Sequence, residues 1–206
     1  MHPKVEFHFD FGSPNAYFAH MVIPGIETRT GVKFTYVPIL LGGVFKLTNN
    51  QAPMILFKDV KGKWAYQRLE IERFIKKHAL TKFRMNPHFP VNTVQIMRGA
   101  IAAESDGQLM KYVDAVFRHM WEDGRKMDDP EVIRAALDSS GLDGAGTLAR
   151  IQEQDVKDKL LKSTERSVAR GTFGAPTFFV GEEIFFGKDK LRDVEEEIEA
   201  AKARAA

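Results

Sequence analysis

Ser13 is the residue whose position in this chain most clearly suggests chemistry. It follows a segment of alternating apolar and polar residues, 5–11, and precedes Pro14, a residue favoured at the first position of a helix. The start of a helix presents unpaired N–H groups and a partial positive charge, which together favour a bound anion. A serine hydroxyl there can also donate a hydrogen bond. The pattern predicts a small anion site at Ser13.

A second motif stands near the other end of the chain. Residues 173–180 read Phe-Gly-Ala-Pro-Thr-Phe-Phe-Val, a loop and a proline followed by a strand. Taken alone, Ser13 is an ordinary helix N-cap and Pro176 is a trans proline that begins a strand. Their occurrence together, in a chain without cysteine, favours a shared site instead.

The lack of cysteine restricts the chemistry. Thiol–disulfide exchange needs an attacking thiolate and a second sulfur, so a chain with Cys 0 cannot perform it alone. Any sulfur in the reaction must arrive with a cofactor. Glutathione is the obvious candidate in a reducing compartment.

Composition excludes several other classes. The 30 basic and 28 acidic residues are interspersed, which argues against a nucleic-acid partner. We expect a cytoplasmic protein with no membrane partner, since neither a signal peptide nor an apolar run of about 20 residues is evident. No metal is expected, because the histidines lack paired ligand spacing; those considered are His8, His20, His78, His88 and His119.

Strand patterns occur only near the two ends of the chain. Residues 5–11 and 32–39 flank a helix in a βαβ unit, and residues 177–180 and 184–186 form a hairpin. The first helix should stop at Pro24 and Gly25, and residues 42–63 should form an irregular ligand loop. The predicted helices are 14–23, 64–78, 93–105, 108–123, 130–139, 147–154, 156–170 and 191–203.

This order predicts an α/β fold. Residues 1–80 and 171–206 would form a discontinuous thioredoxin-like domain, βαβ followed by αββα, that binds glutathione. Residues 81–170 would form an all-helical insertion domain. A chain of 206 residues, 44% of them hydrophobic, is long enough for this arrangement.

Two motifs carry a resemblance to a known family. The segment Phe-Asp-Phe-Gly-Ser-Pro at residues 9–14 resembles the opening of kappa-class glutathione transferases and their bacterial relatives, the 2-hydroxychromene-2-carboxylate isomerases. Residues 173–177, with Phe-Gly-Lys-Asp-Lys-Leu at 186–191, are similar to the closing motif of these proteins. The resemblance in element order covers nearly the whole chain.

The resemblance implies a set of glutathione contacts. Ser13 would hold the thiolate and be the catalytic residue, and a cis Pro176 would leave the backbone of Ala175 free to pair with the tripeptide. Other binding residues implied are Asn50, Lys63 for the glycine carboxylate, and Lys188 and Asp189 for the γ-glutamyl end. Without the family, Asp189 is simply an acidic residue in the first turn of a helix.

Three functions remain open at this point. The first is a glutathione-dependent isomerase of the 2-hydroxychromene-2-carboxylate type, acting on a small aromatic or unsaturated carboxylate in aromatic compound degradation. The second is a kappa-class glutathione transferase or peroxidase. The third is a non-catalytic thioredoxin-like module that holds peptides. The family resemblance also favours a homodimer.

Overall fold

Strand segments from the two ends of the chain pair in one sheet. In the computed structural model, which describes residues 3–205, the strand order is β2-β1-β3-β4. β1 is parallel to β2 and antiparallel to β3, and β3 is antiparallel to β4. The strands are β1 Val5–Phe9, β2 Phe34–Pro38, β3 Thr177–Val180 and β4 Glu183–Phe186. The predicted α/β class and the shared sheet are confirmed.

Helices occupy most of the remaining chain. A 3-10 turn, Lys188–Lys190, precedes the last of them. Within the described residues they are α1 Pro14–Thr30, α2 Leu41–Thr48, α3 Pro53–Leu56, α4 Lys63–His78, α5 Val94–Ser105, α6 Leu109–Trp121, α7 Pro130–Ser139, α8 Gly144–Arg150, α9 Gln154–Ala169 and α10 Leu191–Arg204.

Both faces of β1 are buried. Phe7 stacks on Phe178 of β3, and its ring meets Tyr36 of β2 edge-on. The opposite face carries His8, whose Nδ1 lies 2.7 Å from the Ser167 hydroxyl of α9. Burial lowers the pKa of His8 to about 4. On the aromatic face the ring of Phe9 lies 5.8 Å from that of Phe117 of α6, so helices cover both the aromatic and the polar face of this strand.

The prediction that α1 stops at Pro24 is wrong. The helix continues to Thr30 and ends at Gly31, which adopts the left-handed conformation with φ 70°. Pro24 is exposed, while Ile23 and Ile26 are buried on the core side. Burying one such side chain contributes about 1.5–3 kcal/mol, comparable with the roughly 3 kcal/mol that an interior proline costs. The packing of Ile23 and Ile26 therefore outweighs the cost of Pro24, and the helix continues to Thr30.

The prediction that residues 42–63 form an irregular loop is also wrong. They contain most of α2 and all of α3. The N–H of Leu41 donates to the Asp10 carboxylate at 2.7 Å, which anchors the start of α2. A side chain on Gly43 would approach the Thr164 methyl group of α9 to 3.2 Å, so this glycine permits close helix packing. It is not a helix breaker here.

Several smaller boundaries also differ from the prediction. β1 ends at Phe9, two residues early, because the chain turns there to reach Ser13. α8 begins at Gly144 rather than 147, since the Asp143 carboxylate caps it by accepting from the N–H of Gly146 at 2.8 Å. Lys188 and Asp189 lie in the 3-10 turn rather than in the last helix.

The helices between residues 94 and 169 pack on each other and on the sheet. α5 contacts α6, α8 and α9, and α9 also contacts α2 and β2. A continuous cluster of buried apolar side chains joins the sheet to these helices. The division into domains at residues 80/81 and 170/171 stays a prediction. Among the described helices, none has the length and apolar character that a membrane crossing requires.

Candidate functional site

Ser13 is the N-cap of α1. Its backbone is extended, with φ −95° and ψ 114°, and its hydroxyl accepts a hydrogen bond from the N–H of Ala16 at 3.2 Å. Pro14 occupies the first helical position, as predicted. The first turn of α1 carries no acidic residue, so the positive end of the helix dipole is not neutralised within the helix. The surroundings of Ser13 favour a negative charge.

The Ser13 hydroxyl reaches the proline motif at the other end of the chain. Its Oγ donates to the carbonyl oxygen of Ala175 at 2.9 Å, although 162 residues separate the two. The Ala175–Pro176 peptide bond is cis. Ser13, Ala175 and Pro176 thus lie together, as the paired motifs predicted, and the proline is cis, as the family resemblance implied.

The proline loop is held by several contacts. The N–H of Gly187 donates to the Pro176 carbonyl at 2.9 Å, which ties the loop to the end of β4. A side chain on Gly174 would meet the ring of Phe186 at 2.7 Å, so only glycine fits without movement of that ring. The loop is therefore packed tightly against β4 before β3 begins.

Asn50 belongs to the same cluster. It follows α2, and its side-chain Nδ2 donates to the carbonyl oxygen of Phe173 at 2.9 Å. The ring of Phe173 lies 4.5 Å from that of Phe186, centroid to centroid. Asn50 therefore supports the beginning of the proline loop from the side of α2.

Lys63, Lys188 and Asp189 have different surroundings. Lys63 is the first residue of α4, and its Nζ lies 4.9 Å from the ring centroid of Phe57 in its own segment. Lys188 is buried, with its Nζ 4.8 Å from the ring centroid of Phe74, and it pairs with the exposed Asp189 carboxylate. The latter two residues follow Gly187, whose N–H donates to the Pro176 carbonyl and so connects their segment to the proline loop.

Lys188 and Asp189 also line a cavity of about 420 Å³ between α1, α4 and α10. Arg29 and Lys77 contribute to the same walls, together with acidic residues such as Glu195. Arg29 is paired with Glu195 at 2.6 Å, so part of this positive charge is compensated.

Asp10 is a positioning residue that the sequence analysis did not single out. It is fully buried, and its carboxylate accepts from the N–H of Gly12 at 2.8 Å, the N–H of Leu41 at 2.7 Å and the Thr93 hydroxyl at 3.1 Å. Burial raises the pKa of this carboxyl, and the three hydrogen bonds oppose the rise. One side chain thus fixes the turn before Ser13 against α2 and α5.

A sequence signal for Asp10 did exist. An acidic residue set between Phe9 and Phe11 at the end of a strand must be either exposed or hydrogen-bonded, because an unpaired buried charge is very costly. The glycine two residues later favours a turn in which backbone N–H groups face the carboxylate. Its other two partners come from distant segments, which no local pattern indicates.

Comparison with known proteins identifies the family. The family profile described as "DSBA-like thioredoxin domain" matches residues 4–199. The chain belongs to this family. A DSBA-like chain in which Ser13 occupies the helix N-cap, and which has no cysteine, cannot exchange disulfides by itself.

Curated relatives of this DSBA-like protein are similar over nearly its whole length. A 2-hydroxychromene-2-carboxylate isomerase from Sphingobium xenophagum is 26% identical over 193 residues, covering 93% of this chain and 95% of the relative. One from Pseudomonas putida is 25% identical over 189 residues, with 91% and 90% covered. Glutathione S-transferase kappa 1 from Rattus norvegicus is 24% identical over 201 residues, with 92% and 88% covered.

Solved structures confirm the fold. A 2-hydroxychromene-2-carboxylate isomerase matches with a TM-score of 0.81 at 24% identity, covering 98% of this chain and 97% of that one. A probable DsbA oxidoreductase from Streptomyces coelicolor matches with a TM-score of 0.77 at 16% identity, covering 98% and 91%. The predicted resemblance to the isomerases and kappa-class transferases is confirmed by these relatives.

Proposed function

We propose that this protein binds glutathione and uses its thiolate, held by Ser13, to catalyse cis–trans isomerisation of a small unsaturated aromatic carboxylate of the 2-hydroxychromene-2-carboxylate type, in aromatic compound degradation. The observation that carries the proposal is the 2.9 Å hydrogen bond from Ser13 Oγ, at the start of α1, to the carbonyl oxygen before a cis proline. The names of the full-length relatives support the isomerase class.

Ser13 can stabilise a thiolate in two ways. Its helix start supplies a partial positive charge, worth about 0.3–1 kcal/mol to a nearby anion and more where partly buried. Its hydroxyl supplies a donor, and a hydrogen bond to a charged group is worth about 1.5–3 kcal/mol. The hydroxyl has a single hydrogen, so it must turn from Ala175 O toward the sulfur to do this. Both effects lower the pKa of the bound thiol.

The reaction would then proceed by addition and elimination. The thiolate sulfur adds to one carbon of the conjugated system, and the former double bond becomes a rotatable single bond. After rotation the carbon–sulfur bond breaks, the double bond re-forms and the thiolate is regenerated. Glutathione is not consumed, and the rotational barrier is divided into two lower ones. The protein's part is to keep the sulfur ionised and in place.

The rest of the tripeptide would be held by the neighbouring segments. The backbone of Ala175 would pair with the cysteinyl residue as an added strand does. Asn50, beside the proline loop, and Lys63, for the glycine carboxylate, are proposed contacts. The N–H groups of the 3-10 turn at Lys188 would take the γ-glutamyl carboxylate, and the exposed Asp189 would take its ammonium group.

We also propose that the protein acts as a homodimer. The segment from the end of α2 to α4 exposes many large apolar side chains, and a contiguous apolar surface is typical of a protein contact. They are Leu47, Met54, Ile55, Leu56, Val60, Trp64, Tyr66 and Leu69. A second copy of the chain would cover this surface. Sedimentation equilibrium of the purified protein tests this proposal.

A kappa-class glutathione transferase or peroxidase is the second candidate. Kappa-class relatives from Rattus norvegicus and Caenorhabditis elegans are 24% and 23% identical, nearly as similar as the isomerases. This enzyme would use the same glutathione thiolate, held by Ser13, but it would release a glutathione conjugate or oxidised glutathione. Consumption of glutathione during turnover therefore separates this candidate from the isomerase.

Ser13→Ala tests the role of the hydroxyl. Loss of its hydrogen bond should raise the pKa of bound glutathione thiol by about one to two pH units, at about 1.4 kcal/mol per unit. Ultraviolet titration of the bound thiolate measures this directly, and calorimetry should show that glutathione still binds. Asp129→Ala is the matched control, because it removes the N-cap of α7 and leaves Ser13 intact.

Two results would contradict the proposal. The first is a pKa of the bound glutathione thiol that is the same in Ser13→Ala, in Asp129→Ala and in the wild type. The second is isomerisation of a hydroxychromene carboxylate that proceeds at the same rate with and without glutathione. If glutathione fails to bind the wild-type protein at all, the peptide-holding module becomes the better description.

A further inference from the structure

The ends of α6 and α7 bring together a serine, a histidine and an aspartate. His119 Nδ1 lies 2.7 Å from Asp123 Oδ2, and His119 Nε2 lies 2.9 Å from Ser140 Oγ. His119 is in the last turn of α6, and Asp123 follows four residues later on the same side. Ser140 is the C-cap of α7. These are the contacts of a nucleophile, a general base and an orienting carboxylate.

A neighbouring arginine fixes the tautomer of His119. Arg118 Nη2 lies 3.1 Å from His119 Nε2, and a guanidinium can only donate hydrogen bonds. Nε2 must therefore present its lone pair, which leaves the proton on Nδ1, where Asp123 accepts it. Burial lowers the pKa of His119, and the hydrogen bond to Asp123 opposes this effect. A neutral imidazole is the form that a general base requires. Arg118 also donates to Ser140 Oγ at 3.0 Å, and it must release Nε2 before the lone pair there can take the serine proton.

Ser140 lines a cavity outside the Ser13 site. Ser140 is partly exposed and lines a space of about 390 Å³ together with Tyr17, Lys82, Lys111 and Arg118. This volume suits a small molecule. Lys111 Nζ donates to the carbonyl oxygen of Gly141, next to the serine. The same walls carry two acidic residues, Asp114, which lies 3.1 Å from His20 Nε2, and Glu122, which accepts from the Tyr17 hydroxyl at 3.0 Å. Beside Ser140 the charges are those of Lys111 and Arg118, and they match a substrate that carries a carboxylate.

We propose that Ser140, His119 and Asp123 form a second reactive site, which cleaves small esters bearing an anionic group and does not use glutathione. Ser140 Oγ attacks the ester carbonyl carbon while its proton passes to His119 Nε2. The bond to the leaving alkoxide breaks, and the alkoxide takes that proton. Water then attacks the acyl-serine with the same base, which releases the acid and restores the hydroxyl.

Two other groups assist this chemistry. Arg118 Nη2 donates to Ser140 Oγ at 3.0 Å, so its charge stands beside the position where negative charge develops on the tetrahedral intermediate. Asp123 is a positioning residue that acts through His119. The Ser140 hydroxyl also lies 2.9 Å from the carbonyl of Ala136, and it exchanges this acceptor for Nε2 when the base takes the proton.

The chain offers a matched control for the nucleophile. Ser139 is the adjacent residue, and its hydroxyl donates to the same Ala136 carbonyl at 2.8 Å. Ser140 alone of the two has the contact with His119. Ser139→Ala and Ser140→Ala therefore each remove one hydroxyl that donates to the Ala136 carbonyl, and only Ser140→Ala also removes the partner of His119.

Acylation by p-nitrophenyl acetate, without glutathione, tests the reaction on the full chain. The carboxylate-bearing mono-p-nitrophenyl succinate tests the preference for an anionic group, since it should acylate the protein faster than the acetate does; an equal or slower rate would overturn that preference. We expect a burst of nitrophenolate and an acetyl group on Ser140 by peptide mass mapping. Ser140→Ala and His119→Gln should reduce the acylation rate at least about 10²-fold, the usual contribution of a positioned base. Ser139→Ala should leave it unchanged. Asp123→Asn should slow acylation at least about tenfold, and Asp123→Glu should restore part of the rate.

The decisive comparison is between the two serine variants. Equal acylation rates in Ser139→Ala and Ser140→Ala would overturn the proposal, as would an acetyl group found on Lys82 or Lys111 instead of Ser140. Circular dichroism verifies that each variant is folded before its rate is used. Since Ser140→Ala removes only one partly exposed hydroxyl, the comparison does not depend on the buried His119 variant.

Discussion

Replacing Asp10 by asparagine tests how the Ser13 site is held together. The amide keeps one acceptor oxygen and replaces the other by a donor. Its oxygen fits best at the position that serves Leu41 and Thr93, so its NH₂ group would face the N–H of Gly12, now accepted at 2.8 Å. The variant therefore weakens the hydrogen bonds from Leu41 and Thr93, whose acceptor is no longer charged, and leaves the partly buried N–H of Gly12 without an acceptor.

The magnitude follows from these two losses. A hydrogen bond to a charged group is worth about 1.5–3 kcal/mol and one to a neutral group about 0.5–1.5 kcal/mol, so the bonds from Leu41 and Thr93 become weaker, and the unsatisfied donor of Gly12 costs about 1–3 kcal/mol. Removing the buried charge of Asp10 offsets part of the sum, so Asp10→Asn should lower the free energy of unfolding by about 2–4 kcal/mol. Urea unfolding at neutral pH, followed by circular dichroism, measures this.

A control and a pH series sharpen the test. Asp59→Asn makes the same chemical change at a side chain that is 88% exposed, and should alter stability by less than about 0.5 kcal/mol. Because burial raises the pKa of Asp10, the native state binds its proton more tightly than the unfolded chain does. Wild-type stability should therefore fall as pH rises from about 3.9 through the raised native pKa, and the Asn variant lacks this component. Equal stabilities of both variants would refute the reasoning.

Three further predictions concern the buried His8 and Gly99 and the exposed Gly42. His8 is buried with a pKa of about 4, so the unfolded chain takes up a proton first, and stability should fall between pH 6.5 and 4 by an amount on the order of 3 kcal/mol. His8→Gln should remove this slope, and an unchanged pH dependence of the urea midpoint would contradict it. Gly99→Ala would place a methyl group 2.0 Å from the Tyr112 hydroxyl oxygen, and should destabilise by about 1–3 kcal/mol or more. Gly42→Ala meets nothing within 4 Å and should stabilise α2 by about 0.5–1 kcal/mol in the same denaturation assay.

Local patterns predicted those parts of the fold that depend on neighbouring residues. The bounds of α7 agree with the prediction, because Asp129 and Pro130 supply an N-cap and a first helical residue in sequence. The contact between Ser13 and the proline loop was predicted from paired motifs, since each motif is short and distinctive. The roles of these residues toward glutathione remain proposals.

Distant contacts account for the parts that the sequence did not reveal. Gly43 is a breaker by local rules, but it lies in α2, where a side chain would approach the Thr164 methyl group of α9 to 3.2 Å and a glycine is therefore favoured. The Asp10 carboxylate accepts hydrogen bonds from Leu41 and Thr93, at the starts of α2 and α5, which are 31 and 83 residues away in the sequence. No local sequence pattern predicts contacts over such separations. Ser140 and His119 are 21 residues apart on different helices, so their contact depends on how α6 and α7 pack.

The hydrogen bond between Ser13 and Ala175 bears on which thiols the site could activate. A cysteinyl peptide that pairs with the backbone at Ala175 offers its own N–H to that carbonyl, so the serine hydrogen can pass to sulfur without a net loss of hydrogen bonds. A simple thiol has no amide, and for it the same transfer would leave the carbonyl without a donor. The site would then lower the pKa of the glutathione thiol more than that of a small thiol, because only the tripeptide supplies an N–H to the Ala175 carbonyl in place of the Ser13 hydroxyl. It would distinguish the two by the acidity of the bound thiol as well as by binding affinity.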